Sequence, residues 1–256
     1  MSEGLLQAIL FLVAVTSNAL SAVAGGGAGL IQLPVIIFLG LSFATALATH
    51  KIASVALGVG ATLRHWQSSR LDRNTTLAVL MAGLPGVITG ANTILLVPES
   101  IAKLALGLLT AGLGVYSAFK PALGLQAQPE HRDTRGLIVG ALVIFGIGFL
   151  NGSLTSGTGL FLTLWLIRWF GFDYKQAVAH TLILVGLFWN STGAITLALQ
   201  APVQWSWLPA LLAGSLLGGY LGAHLSITRG NVFIKRTFEG VTIVVGLKLI
   251  SVALDV

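Results

Sequence analysis

Apolar residues in this chain come in long continuous runs, and polar residues gather in short breaks between them. Stretches such as Leu77 to Val97 and Pro202 to Leu225 hold about 20 residues each, the length a helix needs to cross a hydrocarbon core about 30 Å thick. The pattern predicts an all-α polytopic membrane protein. Each half of the chain reads as a glycine-broken segment followed by three ordinary spans. In the first half the broken segment is 5–39 and the spans are 43–63, 75–97 and 101–119; in the second they are 136–170, then 175–199, 206–225 and 232–254. Residues 120–135 (KPALGLQAQPEHRDTR) are polar, carry two prolines and read as the linker between the halves.

The two halves match each other at an offset of about 131 residues. Gly27-Ala-Gly-Leu30 lies over Gly157-Thr-Gly-Leu160, "ALATHK" (Ala46 to Lys51) over "AVAHTL" (Ala177 to Leu182), and the GxxxGA ending at Ala91 over that ending at Ala223. The expected units are therefore a first repeat over 1–119 and a second over 136–256.

Positive charge decides how the broken segments sit, because cytoplasmic loops collect Lys and Arg. If each broken segment crossed once, seven cations would lie on one side and six on the other. If each is a hairpin that returns to the side it left, eleven lie on one side against Lys103 and Lys248 on the other. The hairpin arrangement leaves three crossings per half and so turns the second half upside down. The expectation is two inverted repeats, each a glycine-broken hairpin plus three transmembrane helices. The linker and Arg-rich loops would be cytoplasmic and both termini periplasmic. Inverted repeats with discontinuous helices are a transporter architecture.

Composition agrees with a membrane location. Hydrophobic residues make up 55% of the chain and charged residues 9%, against roughly 25% charged in soluble domains. Mean hydropathy is +0.91. The net charge of +6 would suggest nucleic acid in a soluble chain, but here the cations sit in loops between apolar segments and read as topology signals. No nucleic-acid partner is expected. Cysteine is absent, which excludes disulfides and thiol chemistry. The opening MSEGLLQAIL has no basic n-region, so the first apolar segment is expected to belong to the mature protein. No HExxH, P-loop or GxSxG motif is present, and neither an enzyme nor a metal or cofactor is expected.

The candidate site follows from the broken helices. Non-helical backbone at membrane depth is tolerated only where protein or a water-filled cavity satisfies its polar groups. Helices starting near Ala28 and Thr158 would aim free N–H groups and positive dipole ends into such a cavity, and glycine lets an anion come close. The anion ligands expected are Gly25, Gly26, Gly27, Ala28 and Gly29 in the first half. Thr155, Ser156, Gly157, Thr158 and Gly159 are their counterparts in the second. The competing reading of the glycines is tight helix packing. Lys51 stands roughly nine residues into an apolar span, where a charge costs about 2.5–3.5 kcal/mol on insertion scales. It reads as a fixed counter-charge, with a snorkelling lysine as the alternative. At the repeat offset Thr49 matches His180, His50 matches Thr181 and Lys51 matches Leu182, so the two halves offer related polar groups and one cation. His50, His180 and Glu239 are candidate proton carriers. His180 reads equally as a structural histidine, and Glu239 as a partner of Arg236 three residues before it. The tryptophans fall mostly at span ends, as aromatic belts do.

These motifs resemble the TauE/SafE family, also called the 4-toluene sulfonate uptake permease family. The resemblance covers nearly the whole chain. It is carried by "AGGGAGLIQLP" (Ala24 to Pro34) with "LGLSFATALATHK" (Leu39 to Lys51), and by "GFLNGSLTSGTGLFLTL" (Gly148 to Leu164) with "GFDYKQAVAHT" (Gly171 to Thr181). The resemblance implies a bacterial inner-membrane carrier of a small sulfur-containing anion, such as sulfite, thiosulfate, sulfoacetate or another organosulfonate. It points to Gly25 to Gly29, His50 and Lys51, and to Thr155 to Gly159, His180 and Thr181. Where many relatives carry a second-half lysine this chain has Leu182, so a single fixed cation faces the substrate. A channel or carrier for another small organic anion, a membrane enzyme and a sensor subunit are the alternatives. A second copy of the chain is an admissible partner beside the lipid bilayer.

Overall fold

The computed structural model describes residues 2–66, 71–93, 99–154 and 157–254, and among these every regular element is helical. In chain order they are α1 (Glu3–Ala24), α2 (Gly29–Phe38), α3 (Phe43–His65), α4 (Arg73–Thr93), α5 (Glu99–Ala118), α6 (Thr134–Leu154), α7 (Thr158–Phe170) and α8 (Tyr174–Ile183). A π-helical turn (Leu184–Trp189), α9 (Asn190–Ala198), a 3-10 turn (Trp205–Trp207) and α10 (Leu208–Leu254) complete the chain. Six of these stretches are long and apolar enough to cross a membrane. The last runs from Trp205 to Leu254 and is broken at Gly230, whose φ of 78° and ψ of −178° separate 208–229 from 231–254. Large apolar side chains on the outer faces, among them Leu12, Met81, Leu142 and Val244, are exposed, as a lipid-facing surface requires. The protein is a multi-pass membrane protein.

Helix ends follow local chemistry. Asp173 accepts from the Gln176 N–H at 2.8 Å and so caps α8, and Asp72 caps α4 by accepting from Thr75 N–H at 2.9 Å. The glycine-broken segments have unequal arms: α1 has 22 residues and α2 has 10, while α6 has 21 and α7 has 13. The first arms are thus span-length, and the returning arms are short.

Small residues set the packing. Gly214, Gly218 and Gly222 of α10 lie on the backbone of α1, and Gly86 and Gly90 of α4 lie on the backbone of α6, so closely that an added β-carbon would overlap a carbonyl. The two seams correspond: the fourth helix of one half pairs with the first helix of the other. The centre is α3, the most deeply buried of the candidate spans. A strap of turns between α5 and α6 is tied to three other parts of the chain. Gln128 N–H donates to Gly171 O at 2.8 Å, Asn231 Nδ2 donates to Leu125 O at 3.0 Å, and the Arg132 guanidinium meets Asp72 at 2.9 Å.

Candidate anion site

The two helix breaks face each other at the centre. Gly25, Gly26 and Gly27 have φ of 88°, 149° and 104°, and Gly157 has φ of 77°, conformations that side chains other than glycine rarely adopt. This backbone ends α1 and leads into α2, and Gly157 caps the start of α7 in the second half. A β-carbon on Gly26 would come within 2.7 Å of Gly159 Cα, so the tips touch backbone to backbone. The contact is reciprocal: Leu160 covers Gly27, and Leu30 covers Gly157.

Between the tips lies a cavity of about 40 Å3, enough for a few waters or one compact ion. Gly25 to Gly29 form one wall and Gly157 to Gly159 the facing wall. Leu30 N–H donates to Gly27 O at 3.0 Å, Ile31 N–H to Ala28 O at 3.2 Å and Leu160 N–H to Gly157 O at 2.9 Å, which leaves the N–H groups ahead of them, those of Gly29, Thr158 and Gly159, for an anion in the cavity. The floor comes from His50, Ser54 and Leu57 of α3, spaced four and three residues apart on one helical face, and from Thr181, Val185 and Asn190. At the repeat offset His50 corresponds to Thr181 and Ser54 to Val185, so equivalent positions of the two halves face the same space.

Polar bonds give the site its sign. Lys51 is fully buried behind the wall and donates to Asn151 Oδ1 at 2.8 Å and Asn151 O at 3.0 Å. Asn151 Nδ2 in turn donates to Thr158 Oγ1 at 2.8 Å. Thr158 accepts that bond, so its own hydroxyl hydrogen is free to donate into the cavity it lines. Lys51 therefore polarises a chain of donors that ends at the cavity. His50 Nδ1 is buried and takes no hydrogen bond among the described residues. No carboxylate among the described residues lines the space. Cation, helix N-termini and unpaired donors all favour an anion.

Of the residues singled out from sequence, the structure brings together Gly25, Gly26, Gly27, Ala28, Gly29, His50, Gly157, Thr158, Gly159 and Thr181. Thr155 and Ser156 lie outside the described residues. Lys51 stands one residue behind the wall. Thr49 is buried elsewhere, accepting from Gln204 N–H at 3.0 Å. His180 is set apart from the cavity: Nε2 accepts from Asp72 N–H at 2.8 Å, so Nδ1 carries the hydrogen and bonds Gln176 O at 2.7 Å. Glu239 lies in a separate cluster, and its partner is Lys235, one turn back on the same helix, in place of the expected Arg236.

Sequence reasoning passed over Asn151, Ser54 and Asn190. Ser54 was within reach of it, because it sits four residues after His50 on one face. Asn190 was not, because the π-helical turn over Leu184–Trp189 shifts the register of every residue beyond it. That turn lets Gly186 lie on Gly58 backbone to backbone.

Comparison with known proteins places the whole chain. A profile of the family described as "Sulfite exporter TauE/SafE" matches residues 10–249. A "Probable membrane transporter protein" of Haemophilus influenzae is 29% identical over 230 residues, covering 90% of this chain and 89% of that protein. The probable membrane transporter protein YfcA of Escherichia coli K12 is 28% identical over 253 residues, covering 98% and 91%. The probable membrane transporter protein YunE of Bacillus subtilis is 22% identical over 268 residues, covering 94% and 96%. No solved structure matches at a significant level.

Proposed function

The chain belongs to the TauE/SafE family of membrane transporters, and on that premise we propose that it is a secondary transporter that carries a small sulfur-containing anion across the bacterial inner membrane by alternating access. The observation that carries this reading is the carboxylate-free cavity between the two glycine tips, with Lys51 held behind it through Asn151 and Thr158. Sulfite, the most compact of the candidates, is the first to test, ahead of thiosulfate, sulfoacetate and larger organosulfonates. In this reading the backbone N–H groups of Gly27 to Gly29 and Gly157 to Gly159 hold the oxyanion, since those of Gly25 and Gly26 donate to Ser21 O at 2.8 Å, while His50, Thr158 and Thr181 supply side-chain donors.

Alternating access rests on two inverted repeats, 1–119 and 136–256. The matching glycine seams, the reciprocal cover of Gly27 by Leu160 and Gly157 by Leu30, and the paired positions His50 and Thr181 support that arrangement. Eleven cations against two favour a cytoplasmic linker and periplasmic termini. Exchanging the conformations of the halves would then turn the cavity from one side to the other.

Proteoliposomes loaded with sulfite and diluted into radiolabelled sulfite test the proposal. The protein is expected to accumulate label by exchange, and Lys51→Ala to lower the rate at least roughly tenfold, about 1.4 kcal/mol. Exchange of labelled carboxylates but not of sulfite would overturn the substrate, and full exchange by Lys51→Ala would remove the lysine from the site.

A further inference from the structure

The wall of the anion cavity is matched between the halves in position and unmatched in charge. Within one residue of the repeat offset His50 answers to Thr181, Lys51 to Leu182 and Asn151 to Ser21. All of these except Lys51 line the same space. One corner is charged: the buried Lys51 ammonium group donates to Asn151 Oδ1 at 2.8 Å and to Asn151 O at 3.0 Å. The matching corner is neutral. Leu182 is 2% exposed and brings only hydrocarbon, while Ser21 O accepts from the Gly25 and Gly26 N–H groups at 2.8 Å.

The charge count follows from these residues. Among the described residues the wall holds no Asp, Glu, Lys or Arg, and His50, its one titratable side chain, meets no carboxylate there and enters as a neutral imidazole. Lys51, behind the wall, gives its hydrogen bonds to neutral oxygens. A helix N-terminus attracts an anion with a partial charge whose opposite lies at the far end of the same helix, so the two tips hold an anion without balancing its net charge. One negative charge in the cavity therefore neutralises Lys51. Two would leave an uncompensated buried charge, which is a costly state.

We propose that the cavity selects singly charged oxyanions and that Leu182 sets this limit by keeping the second corner neutral, an inference that deepens the transport reading above and rests on it. The form of sulfite taken is then hydrogensulfite, and doubly charged thiosulfate is refused on charge. Hydrogensulfite also carries a hydrogen, and the wall holds acceptors for it. Asn190 turns its amide nitrogen to Ser54 O at 3.5 Å, which leaves the amide oxygen to accept; a neutral His50 ring has one unprotonated nitrogen. Lysine at position 182 would put a second cation where the first half has Lys51, and the same cavity would then suit a dianion.

Probes of fixed charge test this at one neutral pH. Methanesulfonate is singly charged there, and sulfate and thiosulfate are doubly charged. The methyl group of methanesulfonate is bulkier than the sulfate oxygen it replaces, so a preference for it over sulfate is not one of size. Calorimetric titration of the purified protein at constant ionic strength should give methanesulfonate an affinity at least roughly tenfold above those of sulfate and thiosulfate. Leu182→Lys should raise the affinity for sulfate relative to methanesulfonate at least roughly tenfold, whereas Leu182→Met, which keeps the wall neutral, should preserve the wild-type order. If Leu182→Lys does not fold, Leu182→Lys/Ser21→Asn adds the amide that Asn151 provides for Lys51, and the wild-type comparison decides charge selection by itself. Sulfate or thiosulfate binding as tightly as methanesulfonate in the wild type, no binding of any of the three, or an unchanged order in folded Leu182→Lys overturns the inference. Sulfite exchange in proteoliposomes that persists beside such a result keeps the transport reading. The expected order in a protein that exchanges no sulfite upholds charge selection and sinks the sulfite carrier.

Discussion

Lys51 does not line the cavity and is tied to it through Asn151 and Thr158. Asn151 is the joint, since one side of its amide accepts the ammonium group and the other side donates to Thr158. Asn151→Asp separates stability from binding. The new carboxylate would pair with Lys51 and hold the fold, yet it would place negative charge where the anion sits. A melting temperature at or above wild type with exchange reduced at least roughly tenfold is expected; retained exchange would detach Asn151 from the anion. A different ion pair governs the response to acid. Burial pushes the Asp72 carboxyl up, but the bonds from Thr75 and the Arg132 guanidinium outweigh it and hold the group below its ordinary range. The folded state then binds fewer protons than the unfolded one. The contribution of Asp72 is therefore present above the unfolded value of about 3.9 and is lost as pH falls through the folded value. Melting curves of Asp72→Asn should lose this share of the acid sensitivity, and parallel curves for variant and wild type would show the bridge to be idle. Much of the site was legible from residue type alone, because glycine runs and a lone lysine have few reasons to exist at membrane depth. The roles of Asn151 and His180 were not, since an amide relay and a histidine bound at both nitrogens depend on which helices meet.

At the scale of elements, the glycines divide into two kinds. Those of the tips permit backbone conformations, whereas those of the seams remove volume so that helices can approach. Gly218 shows the second kind: its β-carbon would meet Val15 O at 2.5 Å and Ala19 N at 3.0 Å. Gly218→Leu should part α1 from α10, lowering stability by about 1–3 kcal/mol or more and depressing the melting temperature. Gly240→Leu is the control, because nothing lies within 4 Å of a β-carbon there; equal losses in both variants would show that the seam is not what the substitution disturbs. Apolar runs told where helices lie, and the ordinary spans Phe43–His65 and Tyr174–Ala198 stand close to where hydropathy puts them. Periodicity did not tell that the broken segments pair a full-length arm with a short one, since an apolar run reads the same whether it continues straight or turns back. The π-helical turn was equally silent, since the close approach of Gly58 and Gly186 that it accompanies depends on which helices meet.

At the scale of the molecule, the strap between α5 and α6 reaches the α7–α8 loop, the break at Gly230 and the start of α4. In the proposed topology it shares the cytoplasmic side with most of the loop cations. A reporter active only in the cytoplasm should therefore be on when fused near Gln128 and off at the C-terminus, and equal signals at both positions would rule out the inverted arrangement. One contact described above reaches further. Leu160 covers the first tip and Leu30 the second, and the cavity takes one wall from each tip, so neither half encloses it alone. If the proposed site holds, occupancy and cohesion become a single quantity: an anion seated between the tips would draw the halves together by mass action, and the ease with which they part would set how tightly it is held.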